Sequence, residues 1–189
     1  QLVTAELDRN GEGTMMFGIG IDGDMRNADW NIVGIGQGGL GLGTRDYYLS
    51  DDEQNKRVLE AYKNYLKTLF VMTGNDEATA GKKMQVVLAI ETRIAKASYD
   101  QVKLRDINAN YHKLSYTQLV ADFPGIDWGN VFLLSGLPAV KEVVVYQPEP
   151  LHEVEKVLAE TSLDDLKSYA EARIITGASS QLSDDFRAE

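Results

Sequence analysis

Residues 51–74 and 76–99 form two amphipathic runs placed back to back, and no other feature constrains the fold so strongly. In the first, Val58, Leu59, Tyr62, Tyr65, Leu66, Leu69 and Phe70 recur at helical spacing. Ser50 or Asp51 is placed to cap its start, and Gly74 to close its end. In the second, Met84, Val87, Leu88, Glu91, Ile94, Ala95 and the small Ala97 lie near one face. Isolated helices are marginal in water, so each run needs a partner against which to bury that face. Glu91, a carboxylate on an apolar face, requires a buried partner, and Arg93, Arg105 and Arg45 are the candidates.

The remaining segments are shorter. Leu2, Val3 and Leu7 have the pattern of a helix tail, broken by Asn10-Gly11. Residues 14–21 read as a strand and residues 30–35 as a second. Asp22-Gly23-Asp24 and Arg26-Asn27 supply turn residues between them, which predicts a hairpin with a longish loop. Residues 100–114 read as a polar connector. Ser115-x-x-Gln118 is a capping box opening a short helix that Pro124 ends. Asp127 opens another short helix, closed by Gly136. The run EVVVYQ, residues 142–147, is a short strand, and Pro148 and Pro150 mark a helix that runs towards Glu160. Thr161 or Ser162, with Asp164 and Asp165, caps a last helix extending to the region of Ile175. The expected class is mainly α, with a small β-hairpin near the N-terminus and one further short strand. The 189 residues suffice for one core. The opening helix tail has no start signal and residues 184–189 stop without a closing element, so the chain reads as a single fragment, 1–189, of a longer protein.

Three motifs suggest chemistry, and each fails on a specific point. Gly34-Ile35-Gly36-Gln37-Gly38-Gly39 spells G-x-G-x-x-G after a β-like run. A dinucleotide site needs a helix to begin inside that motif, so that its free N–H groups face the pyrophosphate. Here six glycines fall between residues 34 and 43, and each interior glycine costs a helix about 1 kcal/mol against alanine. A structural turn is the better reading. His152-Glu153-Val154-Glu155-Lys156 begins like HExxH, but the fifth position is a lysine where the zinc chemistry needs a second imidazole one turn along the helix. Glu153 and Lys156 read instead as a solvated i,i+3 pair. Asp22-x-Asp24-x-x-Asn27 hints at calcium, but the fifth position of such a loop is occupied by Arg26.

Composition removes further classes. A net charge of −10 repels a phosphate backbone and argues against a nucleic-acid partner. No run approaches the roughly 18 apolar residues of a membrane span. The absence of cysteine excludes disulfides, thiolate catalysis and cysteine zinc sites. Taken residue by residue, the chain is a helical domain without a self-contained active site.

The stretch QGGLGLGTRDYYL resembles a signature, Q-x-x-L-G-L-P-x-R-D-Y-Y, of the neprilysin and endothelin-converting-enzyme family of zinc metallopeptidases. Gln37, Leu40, Gly41, Leu42, Arg45, Asp46, Tyr47 and Tyr48 match it, and Gly43 stands where the pattern has proline. The likeness continues in order along the chain. Leu88, Glu91, Ile94 and Ala95 resemble the family's L-x-x-E-x-x-I-A helix. Arg105-Asp106, Tyr111 and Lys113-Leu114-Ser115 resemble its R-(N/D)…Y-N-K-(M/L)-(S/T) segment, and VVVYQPEPL is similar to V-V-V-Y-x-P-x-(F/Y)-L.

The resemblance implies a part of the mostly helical, lid-type domain that covers the active-site chamber in this family. The parent would be a zinc metalloendopeptidase cutting small peptides, with zinc as its cofactor, its HExxH and third zinc ligand lying outside this fragment. The fragment itself is then expected to carry no catalytic or metal-binding residue and to be inactive alone. Its partners would be the catalytic domain of the same polypeptide and, in the parent, peptide substrates. The turn at Gly43 is expected to be kept, without proline's restriction on φ. Arg45 is expected to make a buried or partly buried ion pair at the strand-to-helix junction, with Glu91 and Arg105 as further candidates for structural ion pairs. A cysteine-free member looks bacterial and exported. The competing reading is a stand-alone helical module that binds a partner through its apolar faces.

Overall fold

A computed structural model describes residues 15–137 and 139–178. The expected helix tail at residues 2–7 and the end of the chain at residues 184–189 lie outside the described residues. Among them run β1 (Phe17–Asp24), β2 (Asn27–Gln37), α1 (Asp46–Leu49), α2 (Glu53–Met72), α3 (Glu77–Ala97) and α4 (Gln101–Leu104). Then follow β3 (His112–Ser115), α5 (Tyr116–Asp122), α6 (Trp128–Leu134), β4 (Glu142–Val145), α7 (Pro148–Glu160) and α8 (Leu163–Ala178). The class is mainly α with one small sheet, as the periodicity predicts.

The two long amphipathic runs become α2 and α3, which pack on each other, and α3 also touches α7 and α8. Tyr62, Leu66, Leu69 and Phe70 of α2 are buried, and so are Val87, Ile90, Glu91, Ile94 and Ala95 of α3. Asp52 caps α2 by accepting from the N–H groups of Gln54 and Asn55, so the cap stands one or two places beyond the expected Ser50 or Asp51. Asp76 caps α3 through the N–H of Thr79. The capping box at Ser115 and Gln118 is present in full. Asp127 accepts from the N–H of Asn130 at the start of α6.

The sheet has the order β1-β2-β4-β3. β1 and β2 are antiparallel, β4 runs parallel to β2 from Val33↔Val143 to Ile35↔Val145, and β3 is antiparallel to β4. Val143, Val144 and Val145 are at most 1% exposed, which explains why this strand is an unbroken apolar run and not an alternating one. Two expectations need correction. The hairpin has a tight turn at Met25-Arg26, not a long loop, and Ala28, Asp29 and Trp30 form a bulge between the pairs Asp24↔Asn27 and Gly23↔Asn31. The polar connector contains the short helix α4 and a further edge strand, β3. That strand carries one apolar residue, Leu114, and is recruited by the apolar β4 beside it.

Long-range polar contacts tie the ends of the fold together. The buried Tyr169 hydroxyl of α8 is shared between the carbonyl oxygens of Met15 and Gly39. Asp24, at the end of β1, accepts from the N–H of Arg26 at 2.9 Å and from the Tyr111 hydroxyl at 2.7 Å. These protein donors, which hold its carboxyl below the usual range, account for the acidic turn that the spacing compared with calcium loops.

Candidate functional site

The signature residues fold around one buried carboxylate. After β2 the backbone turns at residues 40–43, where Gly43 donates to the Leu40 carbonyl at 3.0 Å. The loop then enters α1. Three groups from this region and from α2 converge on Glu91 of α3. The Gly41 N–H donates to Oε1 at 3.1 Å, the Tyr62 hydroxyl to Oε1 at 3.0 Å, and the Tyr48 hydroxyl to Oε2 at 2.9 Å. The Tyr48 oxygen in turn accepts from the Leu42 N–H at 3.1 Å.

Glu91 is 0% exposed. Burial raises its carboxyl to about 7, against the opposing pull of the Tyr48 hydrogen bond, the positive charge of Arg173, the Tyr62 hydrogen bond and the Gly41 N–H. The Tyr48 and Tyr62 hydroxyls are pushed above the ordinary phenol range, first by burial and then by the charge of Glu91. Both carboxylate oxygens are engaged and out of reach of solvent, so the cluster locks the strand-to-helix junction onto α3. The arginines expected beside Glu91 are replaced by hydroxyls and an N–H, with Arg173 of α8 as the cation that bears on it. Arg93 instead holds Glu153 at 2.8 Å and Glu160 at 2.9 Å, and Arg105 is exposed.

The rest of the signature clamps the end of α3. Gln37 pairs with Tyr99 in both directions, its side-chain amide donating to the Tyr99 carbonyl at 3.2 Å and its oxygen accepting from the Tyr99 N–H at 2.7 Å. Arg45 is half-buried, and its Nη1 donates to the Ser98 carbonyl at 2.7 Å. This contact replaces the expected ion pair. Ser98 is the C-cap of α3, so the guanidinium meets the negative end of a helix dipole. Arg45→Ala is expected to cost about 1 kcal/mol, the scale of an incompletely buried charge-assisted hydrogen bond, and a fall in melting temperature checks it. Leu40 and Leu42 pack against the core, Tyr47 is half-buried, and Asp46 is exposed in the first turn of α1.

Gly43 departs from the family pattern in geometry as well as in identity. Its φ is +76°, which proline cannot adopt, and its N–H is used. The turn here is therefore not the proline turn that the resemblance implied. Gly43→Pro is expected to destabilise the fold by about 2 kcal/mol, measurable by thermal denaturation.

The other motifs resolve as follows. Gly34 and Gly36 lie within β2, so no helix starts in the G-x-G-x-x-G stretch, and the Tyr146 ring covers Gly34. His152 Nδ1 lies 3.1 Å from Glu155 Oε2, and Lys156 pairs with Glu153 at 3.6 Å. His112 Nδ1 lies 2.9 Å from the Val145 carbonyl. Among the described residues no three His, Cys, Asp or Glu side chains come together as a metal site. The side chains present among the described residues do not fit a zinc ion. The hydroxyls of Tyr48 and Tyr62 are the partners of Glu91 that the periodicity does not reveal. The available signal was a tyrosine, in place of phenylalanine, on a buried helical face, since a buried hydroxyl needs a partner.

The model for the N-terminal region of peptidase family M13 matches residues 1–189. The chain belongs to peptidase family M13. Endothelin-converting enzyme 1 of Mus musculus is 32% identical over 192 residues, a match that covers 99% of this chain and 24% of that enzyme. The zinc metalloprotease Zmp1 of Mycobacterium tuberculosis, in its open state, superposes with a TM-score of 0.91 at 29% identity, over 99% of this chain and 29% of that one. PepO from Lactobacillus rhamnosis shares the fold, with a TM-score of 0.71 at 18% identity over 98% of this chain and 29% of that one. The chain thus spans about a quarter of the length of these M13 relatives. No helix among the described residues is long and apolar enough to cross a membrane.

Proposed function

We propose that this chain is part of the helical, non-catalytic domain that covers the active-site chamber of a larger zinc metalloendopeptidase. The observation that carries the reading is the match of nearly the whole chain to under a third of Zmp1. Hydrolysis of small peptides by zinc-activated water belongs, on this reading, to another part of the polypeptide. Residues 15–137 and 139–178 contribute wall to that chamber, and the Glu91 cluster fixes the junction between its sheet and its helices. The rest of the polypeptide is the principal partner, peptide substrates meet the assembled enzyme, and the parent is exported to the periplasm or cell surface.

The test compares the complete polypeptide with residues 1–189 alone. The complete protein should hold one zinc per chain by metal analysis and cleave a quenched fluorescent peptide. Residues 1–189 should do neither. Tight stoichiometric zinc and peptide cleavage by the 189-residue chain alone would overturn the proposal, as would a complete protein lacking both.

A further inference from the structure

The hairpin of β1 and β2 reaches across the sheet. β1 and β3 are opposite edges, yet Asp24 at the end of β1 meets Tyr111 beside β3. Lys113 of β3 bridges Asp24 at 3.4 Å and Glu142 at 3.0 Å. This contact closes an arch over the start of β4. Beside the arch lies a cleft of about 670 Å³, lined on one side by residues 30–33 of β2 and on the other by Leu137 and residues 139–142.

The unbroken run 30–33 is informative. Successive side chains of a strand point to opposite faces, so the regularly paired residues 31–33, just past the bulge that holds Trp30, line one cleft together where the strand presents its backbone edge. β2 pairs with β4 over Val33, Gly34 and Ile35 alone. The Ile35 carbonyl accepts from Tyr146 N–H on the β4 side. Backbone groups alternate sides along an antiparallel strand, so Asn31, two and four residues from Val33 and Ile35, turns its N–H and C=O into the cleft. Among the described residues no strand pairs with it there. The cleft is open, with the exposed apolar side chains of Trp30 (68% exposed) and Ile21 (57%) facing it beside the charged Asp24, Lys113, Lys141 and Glu142.

We propose that an extended segment of the same polypeptide, from outside residues 1–189, adds as a strand to β2 at Asn31 and is covered by Trp30. An open strand edge is a template for another strand, and its backbone groups supply the affinity. Three quarters of the length of endothelin-converting enzyme 1, and 71% of Zmp1, lie outside the part this chain covers. A segment on the same polypeptide also has the advantage of effective concentration over a free peptide or a second copy. The inference rests on the reading of the chain as part of a larger M13 peptidase.

The experiment uses the complete polypeptide. A photo-crosslinking amino acid at position 30 should form an intramolecular link to a segment outside residues 1–189. Hydrogen exchange should show the Asn31 amide slowed by about 100-fold or more relative to an unpaired amide. Links confined to residues 1–189, to a second molecule or to an added peptide would overturn the proposal, and so would an unprotected Asn31 amide. A protein that holds zinc and cleaves peptide but leaves Asn31 unprotected fails this inference alone. Loss of zinc and activity with Asn31 protected fails the functional reading alone.

Discussion

Glu91→Ala is expected to destabilise the described fold by about 4 kcal/mol, roughly 10 °C in melting temperature for a chain of this size. Three donors lose their acceptor at once: the Gly41 N–H and the hydroxyls of Tyr48 and Tyr62. Each buried donor left without a partner costs about 1–3 kcal/mol, and the deleted side chain also leaves a cavity. Glu91→Gln keeps the shape and an oxygen that can accept from two of the three donors, and is expected to lose about 1 kcal/mol. The pair of variants also exposes a pH dependence. The folded carboxyl titrates at about 7, against an ordinary value of 4.5. Below 4.5 both folded and unfolded chains hold the proton, and the contribution is complete. Between 4.5 and 7 the unfolded chain releases the proton that the folded chain retains, so stability falls as pH rises. The fall is of the order of 3 kcal/mol at about 1.4 kcal/mol per pH unit, and it levels off above 7. Denaturant unfolding at pH 4.5, 6 and 8 should show that slope in the wild type relative to Glu91→Gln. A difference that does not change with pH would sink the assignment.

Gly41→Ala is the second large effect, about 3 kcal/mol of destabilisation. A Cβ at this position would overlap the Tyr62 hydroxyl, and would lie 2.6 Å from Tyr62 Cζ and 3.1 Å from Glu91 Oε1. The Tyr62 ring is buried, so the loop must retreat, and retreat breaks the Gly41 N–H contact with Glu91. Tyr62→Phe in the same chain removes the hydroxyl but not the close approach to Cζ. The double variant should therefore recover only part of the loss. Full recovery, or a neutral Gly41→Ala, would show that the loop is not pinned as described.

The two long helices and the Ser115 capping box were legible in the sequence because they are set locally, whereas the cap of α2 falls at Asp52 and the short helices α1 and α4 left no such pattern. The spacing of Tyr62, Leu66, Leu69 and Phe70, or the Ser115 and Gln118 box, needs no knowledge of distant residues. The sheet was less legible. β3 has almost no apolar pattern and exists because β4 offers it an edge, while the bulge at residues 28–30 is a product of pairing and leaves no mark in composition. Glu91 could be singled out from its position on an apolar face. Its partners could not, because Gly41, Tyr48 and Tyr62 meet it from separations of 50, 43 and 29 residues. Charge pairing suggested arginine, yet a carboxylate whose proton is retained up to neutral pH is well served by hydroxyls.

The Tyr169 hydroxyl has a consequence for how such a chain is made. Synthesis proceeds from the N-terminus, and domains complete themselves only as their last contacts emerge. Helices α2 and α3 are neighbours in sequence and can pair early. The carbonyls of Met15 and Gly39 wait for a hydroxyl that follows them by 154 and 130 residues. A nascent chain halted before α8 would therefore hold its helical pair while β1 and the start of the signature loop lack their tether. In that interval β2 keeps its pairing with β4, and the release is confined to Met15 and the start of the signature loop.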